Sequence, residues 1–141
     1  MAVIKVTDIA YVRLRSPDLD VQAEFLENFG LAPSAKSSKA LYYRATDPVH
    51  HVHITEKGDP KVVGIAYHAA SEDDLKTLAK TPGATGIENL DEPGGGKRVR
   101  LTEPNGYQVE VVWGMEKVKP IEAPRQMLNS GYAPLDRKSV V

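Results

Sequence analysis

The chain has 141 residues, enough for one domain with a single core, and 41% of them are hydrophobic. It contains no cysteine, which excludes disulfides, thiolate metal sites and cysteine nucleophiles. Eighteen basic side chains face nineteen acidic ones, a formal charge of −1, so no electrostatic footprint for nucleic acid or an anionic membrane is present and a small molecule or a protein is the expected partner.

The first element is a strand over residues 8–15. Ala10, Val12 and Leu14 alternate with Tyr11, Arg13 and Arg15, the period of a strand with one face on a core. Ser16-Pro17-Asp18 then opens a helix, with Ser16 or Asp18 as the cap and Pro17 suited to a first turn. Leu19, Ala23 and Leu26, with Val21, Phe25 and Phe29 beside them, form a broad apolar stripe at helical spacing. Gly30 is a natural stop, because glycine tolerates the left-handed conformation after a last turn. A second strand is expected over 41–45 and a third over 50–55, separated by the turn signal Thr46-Asp47-Pro48. Alternation in that third strand puts Val52 and Ile54 on one face and His51 and His53 on the other.

The pattern then starts again. Residues 63–69 read as a strand with Ile65 and Tyr67 toward the core. Ser71-Glu72-Asp73-Asp74 is a helix-opening capping sequence before Leu75, Leu78 and Ala79, and Pro82-Gly83 ends that helix. A glycine-rich loop at 91–96 precedes strands at 98–101 and 107–113. The loop's Gly94-Gly95-Gly96-Lys97 lacks the spacing of a phosphate loop and reads as a hairpin connection. The stretch 45–54 can be laid over 101–111 with one residue deleted, so the chain reads as a duplicated unit, residues 6–60 and 61–114. Residues 115–141 carry Pro120, Pro124 and Pro134 without sustained period and are expected to form an extended connector or tail. No apolar run approaches the roughly 20 residues needed to cross a bilayer. The first residues also lack a signal peptide's apolar stretch, and a cytoplasmic location is expected.

Asp8-Ile9-Ala10-Tyr11-Val12-Arg13-Leu14, Ser16-Pro17-Asp18-Leu19, Phe29-Gly30-Leu31 and the ending Glu103-Pro104-Asn105-Gly106-Tyr107-Gln108-Val109-Glu110-Val111 carry a likeness to a known group. Over residues 6–114 the chain resembles the vicinal-oxygen-chelate superfamily of glyoxalases, bleomycin-resistance proteins and extradiol ring-cleaving dioxygenases. The His50-His51 start, Gly64-Ile65-Ala66-Tyr67 and Val111-Val112-Trp113-Gly114 resemble the N-terminal domain of two-domain extradiol dioxygenases in particular, and 124–129 resembles that domain's linker. The resemblance implies an α+β fold of two βαβββ modules forming a curved mixed sheet with a concave cup, helices covering the other side.

In metal-binding relatives one position on the first strand and one on the last strand of each module line the cup. Carried over, these are Tyr11, His53, Gly64 and Glu110. The usual first-strand histidines are replaced by Tyr11 and Gly64, so this chain is expected to bind no metal. If it held one, His53 and Glu110 would be the donors. Glu110 has a second reading, as a carboxylate paired with Arg98, Arg100 or Arg13 across the same face. Tyr11, Arg13, His53, Gly64, His68 and Glu110 are the expected cup-lining residues. The leading expectation is a non-catalytic N-terminal domain of an extradiol enzyme whose other domain holds Fe(II) and cleaves a catechol ring with O₂. The alternative is a free-standing bleomycin-resistance-like protein that dimerises around a small aromatic or other organic ligand. A second vicinal-oxygen-chelate domain or a second copy is the expected protein partner.

Overall fold

The computed structural model describes residues 2–122. The linker likeness at 124–129 and the rest of 123–141 lie outside the described residues. The elements run β1 (Val6–Ser16), α1 (Leu19–Phe29), β2 (Ala32–Lys36), β3 (Ala40–Arg44), β4 (His53–Lys57), β5 (Lys61–Ala69), α2 (Glu72–Leu78), β6 (Glu88–Asn89), β7 (Lys97–Thr102) and β8 (Gln108–Trp113). They form one eight-stranded mixed sheet in the order β2-β3-β4-β1-β5-β8-β7-β6. This is the expected α+β architecture of two βαβββ modules. Among the described residues no helix is long and apolar enough to cross a membrane.

Each module closes through a parallel pair, β1 with β4 and β5 with β8. The modules join by the antiparallel β1–β5 pair, where Tyr11 faces Ala66, Val12 faces Ile65 and Arg13 faces Gly64. That register is symmetric about Val12 and Ile65. It makes Tyr11 the counterpart of Gly64, and Arg13 the counterpart of Ala66.

α1 forms where the sequence capped it. Asp18 accepts from the N–H groups of Asp20 and Val21, and Gly30 takes a φ of 104° and closes the last turn with its N–H on Glu27 and Leu26 carbonyls. Leu19, Ala23 and Leu26 of α1 pack on Leu41 and Tyr43 of β3. In the second module Leu75 and Leu78 of α2 pack on Val99 and Val111. Both helices therefore cover the same face. The opposite face is the cup.

Two strands that the module pattern requires were not placed in the sequence. β2 reads Ala-Pro-Ser-Ala-Lys, without a β-branched residue, and is tolerated because it lies at the sheet edge, where a proline costs no essential ladder bond. β6 is only two residues long. A third difference matters more for function: residues 50–52 bend, and β4 begins at His53 instead of His50.

The chain beyond β8 stays tied to the domain as far as the description reaches. Met115 packs against the cup cluster. Val118 donates to Pro48, Ile121 to Thr46, and the Arg44 guanidinium holds the Lys119 carbonyl at 2.8 Å.

Candidate functional site

Facing residues on neighbouring strands share a side of the sheet. Arg13 faces Ile54, and Ile54 faces Tyr42. Ala66 faces Glu110, and Glu110 faces Arg100. These residues therefore share the cup with Tyr11, Gly64, His68 and Gln108. Val12 faces His53, which faces Tyr43, the residue beneath α1.

This register removes His53 from the cup. It lies on the helix-covered face, buried, with Nε2 2.8 Å from the Thr55 hydroxyl. Burial lowers its pKa and keeps it neutral. The counterpart of Glu110 in the first module is Ile54, because Arg13–Ile54 and Ala66–Glu110 are the matching parallel pairs. The physical reason is the bend at 50–52, which breaks the alternation that would have carried His51 and His53 to one side. His51 does enter the cup, with its ring 5.1 Å from both Tyr11 and Tyr42.

The cup is filled by the chain itself. Arg13, only 4% exposed, lies at its centre with three carboxylates around one guanidinium. Nε donates to Glu110 Oε1 at 3.0 Å, Nη1 to Glu56 at 2.7 Å, and Nη2 to both oxygens of Glu92 at 2.9 and 3.0 Å. Burial opposes its charge, but the Glu92 hydrogen bonds and the Glu110 and Glu92 charges outweigh that and raise its pKa further. Glu110, 2% exposed, also accepts from the Tyr11 hydroxyl at 2.5 Å and from the Gln108 amide, with Arg98 at 3.4 Å. Burial, then the Glu110 charge and hydrogen bond, raise the Tyr11 pKa, so the phenol stays protonated and donates. Arg98 and Arg100 share Glu88 at 2.9 and 2.6 Å. Leu90 and Met115 pack over Tyr11, Tyr42 and Ile54.

Glu56, Glu92 and Tyr42 are partners that sequence reasoning missed, and His51, placed on the face of His53, was not among the expected cup-lining residues. Glu56 was findable: it lies two residues from Ile54 on one strand face. Glu92 sits in an irregular loop, where no periodicity reports direction. His68 lies half-buried on the cup side, facing Val112 on β8. Burial lowers its pKa, with Asp8 acting in the opposite sense. His51 is held neutral more strongly: burial, then His50, Arg13 and His68, bring its pKa from 6.5 down to about 3. Its Nδ1 is 2.9 Å from that of His50, so one imidazole donates and the other accepts.

The four carried-over positions, corrected by register, are Tyr11, Ile54, Gly64 and Glu110. They do not fit a metal. Ile54 and Gly64 supply no donor, and both Glu110 oxygens are already engaged by Tyr11, Arg13, Arg98 and Gln108. A Cβ built on Gly64 would lie 1.8 Å from the Gln108 carbonyl oxygen. No histidine can stand there without moving backbone. Among the described residues no group of three or more histidine or carboxylate side chains is placed to hold an ion.

No family model matches the chain. It is 29% identical over 139 residues to a manganese-dependent 2,3-dihydroxybiphenyl 1,2-dioxygenase of Geobacillus genomosp. 3, covering 92% of this chain and 44% of that protein. It is 27% identical over 124 residues to a metapyrocatechase of Geobacillus stearothermophilus, covering 84% and 38%. Its structure superposes on the Mn(II)-bound glyoxalase from Novosphingobium aromaticivorans with a TM-score of 0.77 and 26% identity, over 86% of this chain and 43% of that one. The chain has the vicinal-oxygen-chelate fold. Homoprotocatechuate 2,3-dioxygenase from Brevibacterium fuscum shares the fold, with a TM-score of 0.73 at 21% identity. The chain spans less than half the length of the curated relatives it matches. One of those relatives is manganese-dependent and the glyoxalase is Mn(II)-bound, whereas the cup of this chain holds a guanidinium among the carboxylates.

Proposed function

We propose that this domain is the metal-free, structural module of an extradiol-dioxygenase-like protein, and that another module carries the metal and cleaves the aromatic ring. The observation that carries this reading is the cup itself: Arg13 sits among Glu56, Glu92 and Glu110, and the register leaves Ile54 and Gly64 at positions that would need donors. A guanidinium supplies fixed positive charge and hydrogen-bond donors, and no open coordination position. The domain's contribution is then rigidity and a surface for assembly. The expected substrate class for the whole protein is a catechol, from its likeness to ring-cleaving enzymes, and Fe(II) or Mn(II) would reside in the other module.

A ligand held in this cup, as in a bleomycin-resistance-like protein, is disfavoured. Tyr11, Arg13 and Glu110 are buried within the single chain and have no face left for a guest.

The test is metal loading of the 141-residue chain. After incubation with Fe(II) or Mn(II) and removal of the excess, well under one equivalent should remain, and 2,3-dihydroxybiphenyl with O₂ should be left intact. One tightly held equivalent per chain, lost in Glu110→Gln, would overturn the reading.

A further inference from the structure

An asparagine side chain can be attacked at its carbonyl carbon by the backbone nitrogen of the next residue. The attack needs that nitrogen released from its hydrogen bond, a backbone free to rotate, and little bulk on the following residue. Asn28, Asn89 and Asn105 lie among the described residues. Two of them fail these conditions. Asn28 lies inside α1, where the dihedrals are fixed, and Phe29 follows it. Asn89 pairs with Lys97, and the Leu90 nitrogen after it donates to the Gly96 carbonyl at 2.9 Å beside a buried side chain.

Asn105 meets them. It is exposed in the turn between β7 and β8, and Gly106 follows it. Gly106 has no Cβ to obstruct its nitrogen, and open space lies around that position. The turn also carries its own restraint. The Gly106 nitrogen donates to the Glu103 carbonyl at 2.9 Å. Glu103 Oε2 accepts from Asn105 Nδ2 at 2.8 Å, and Oε1 accepts from the Tyr107 N–H at 3.0 Å. The Tyr107 N–H holds the Glu103 carboxyl below its ordinary range, so it remains an acceptor. One glutamate therefore fastens the chain on both sides of the Asn105–Gly106 bond. These bonds are solvent-exposed, the kind that open locally without unfolding the domain.

We propose that Asn105 is a spontaneous deamidation site whose rate Glu103 holds down. When the turn opens, the Gly106 nitrogen gives up its proton and bonds to Asn105 Cγ. The Cγ–Nδ2 bond breaks, and the departing nitrogen takes up a proton and leaves as ammonia. Water then opens the cyclic imide at either carbonyl, giving aspartate or its β-linked isomer. Water is the only co-reactant.

The product changes the turn. A donor beside Glu103 becomes a second carboxylate, and attraction becomes repulsion. The β-linked form also adds a methylene to the main chain just outside the Thr102–Gln108 pair that begins the hairpin. Gln108 donates its amide to Glu110, so the modification reaches the edge of the cup.

The experiment incubates the full chain at neutral and mildly alkaline pH and follows each asparagine by peptide mass spectrometry. A free peptide of residues 101–111 runs alongside. Asn105 should convert to both products, more slowly than in the free peptide and at a rate proportional to hydroxide, while Asn28 and Asn89 stay intact. Glu103→Ala should raise the rate severalfold, toward that of the free peptide, with the far-ultraviolet spectrum unchanged. An Asn105 that survives in the folded chain while the peptide converts would overturn the proposal. So would a Glu103→Ala rate equal to that of the unaltered chain. Asn105→Asp carries the product's charge, and hydrogen exchange at its Tyr107 amide should quicken; unaltered exchange there would overturn the coupling of the turn to Glu103.

Discussion

At matching positions around the β1–β5 axis, the first module places Tyr11, Arg13 and Ile54 where the second places Gly64, Ala66 and Glu110. One half supplies bulk and a cation; the other supplies space and a carboxylate. Gly64 meets the Gln108 backbone so closely that no side chain fits, and Ala66 leaves room opposite the Tyr11 ring. The two copies keep one chain path while their cup faces have diverged into complementary shapes. A duplicated scaffold can close its own hollow in this way, because each half need only complement the other.

Removing the cation from this arrangement should have the largest effect. Arg13→Ala leaves the buried Glu110 and the half-buried Glu92 without their principal partner, and loss of one member of a buried ion network costs about 3–5 kcal/mol. Urea denaturation of the purified chain reads it directly. Arg13→Met paired with Glu110→Gln should recover part of that loss, because the buried negative charge goes too. Next comes Gly64→Ala, which drives a methyl into the Gln108 backbone. It should cost about 3 kcal/mol, the upper range for forced overpacking, whereas the counterpart position tolerates a tyrosine.

Acid should discriminate the halves as well. The first module holds His51 neutral, with a pKa of about 3 against 6.5 when unfolded. Between those values the unfolded chain binds more protons, so stability is full above pH 6.5 and declines as pH falls toward 3. The decline from this group is about 1.4 kcal/mol per pH unit, or roughly 2 kcal/mol by pH 5. His53 and His68, also lowered, steepen the same window. A pH series of denaturation midpoints should show this, and His51→Phe should flatten it. The smallest effect is expected at the helix caps. Asp18→Ala and Ser71→Ala each remove a side-chain acceptor from a first turn and should each cost about 1 kcal/mol. Thermal melts would resolve whether the two modules share that sensitivity.

Much of the fold was legible because its signals are local. Asp18 and Gly30 mark α1, Ser71 marks α2, and alternation marks β1 and β8. β2 was missed because its residues have no strand preference; it exists because β3 offers an edge. In the cup, parity on a regular strand put Tyr11 and Arg13 on one side, and the structure brings both to Glu110. Parity failed for His53, where the bend at 50–52 inserted an irregular step before the strand.

By itself, then, the sequence determined two repeated units, their helices and caps, and a tyrosine and a glycine on the two first strands. Those features depend on neighbours a few residues apart. Tertiary structure alone decided that Ile54 and not His53 is the counterpart of Glu110, and that Glu92 closes over Arg13 from a loop. These come from inter-strand register and long-range ion pairing. No local periodicity encodes either one.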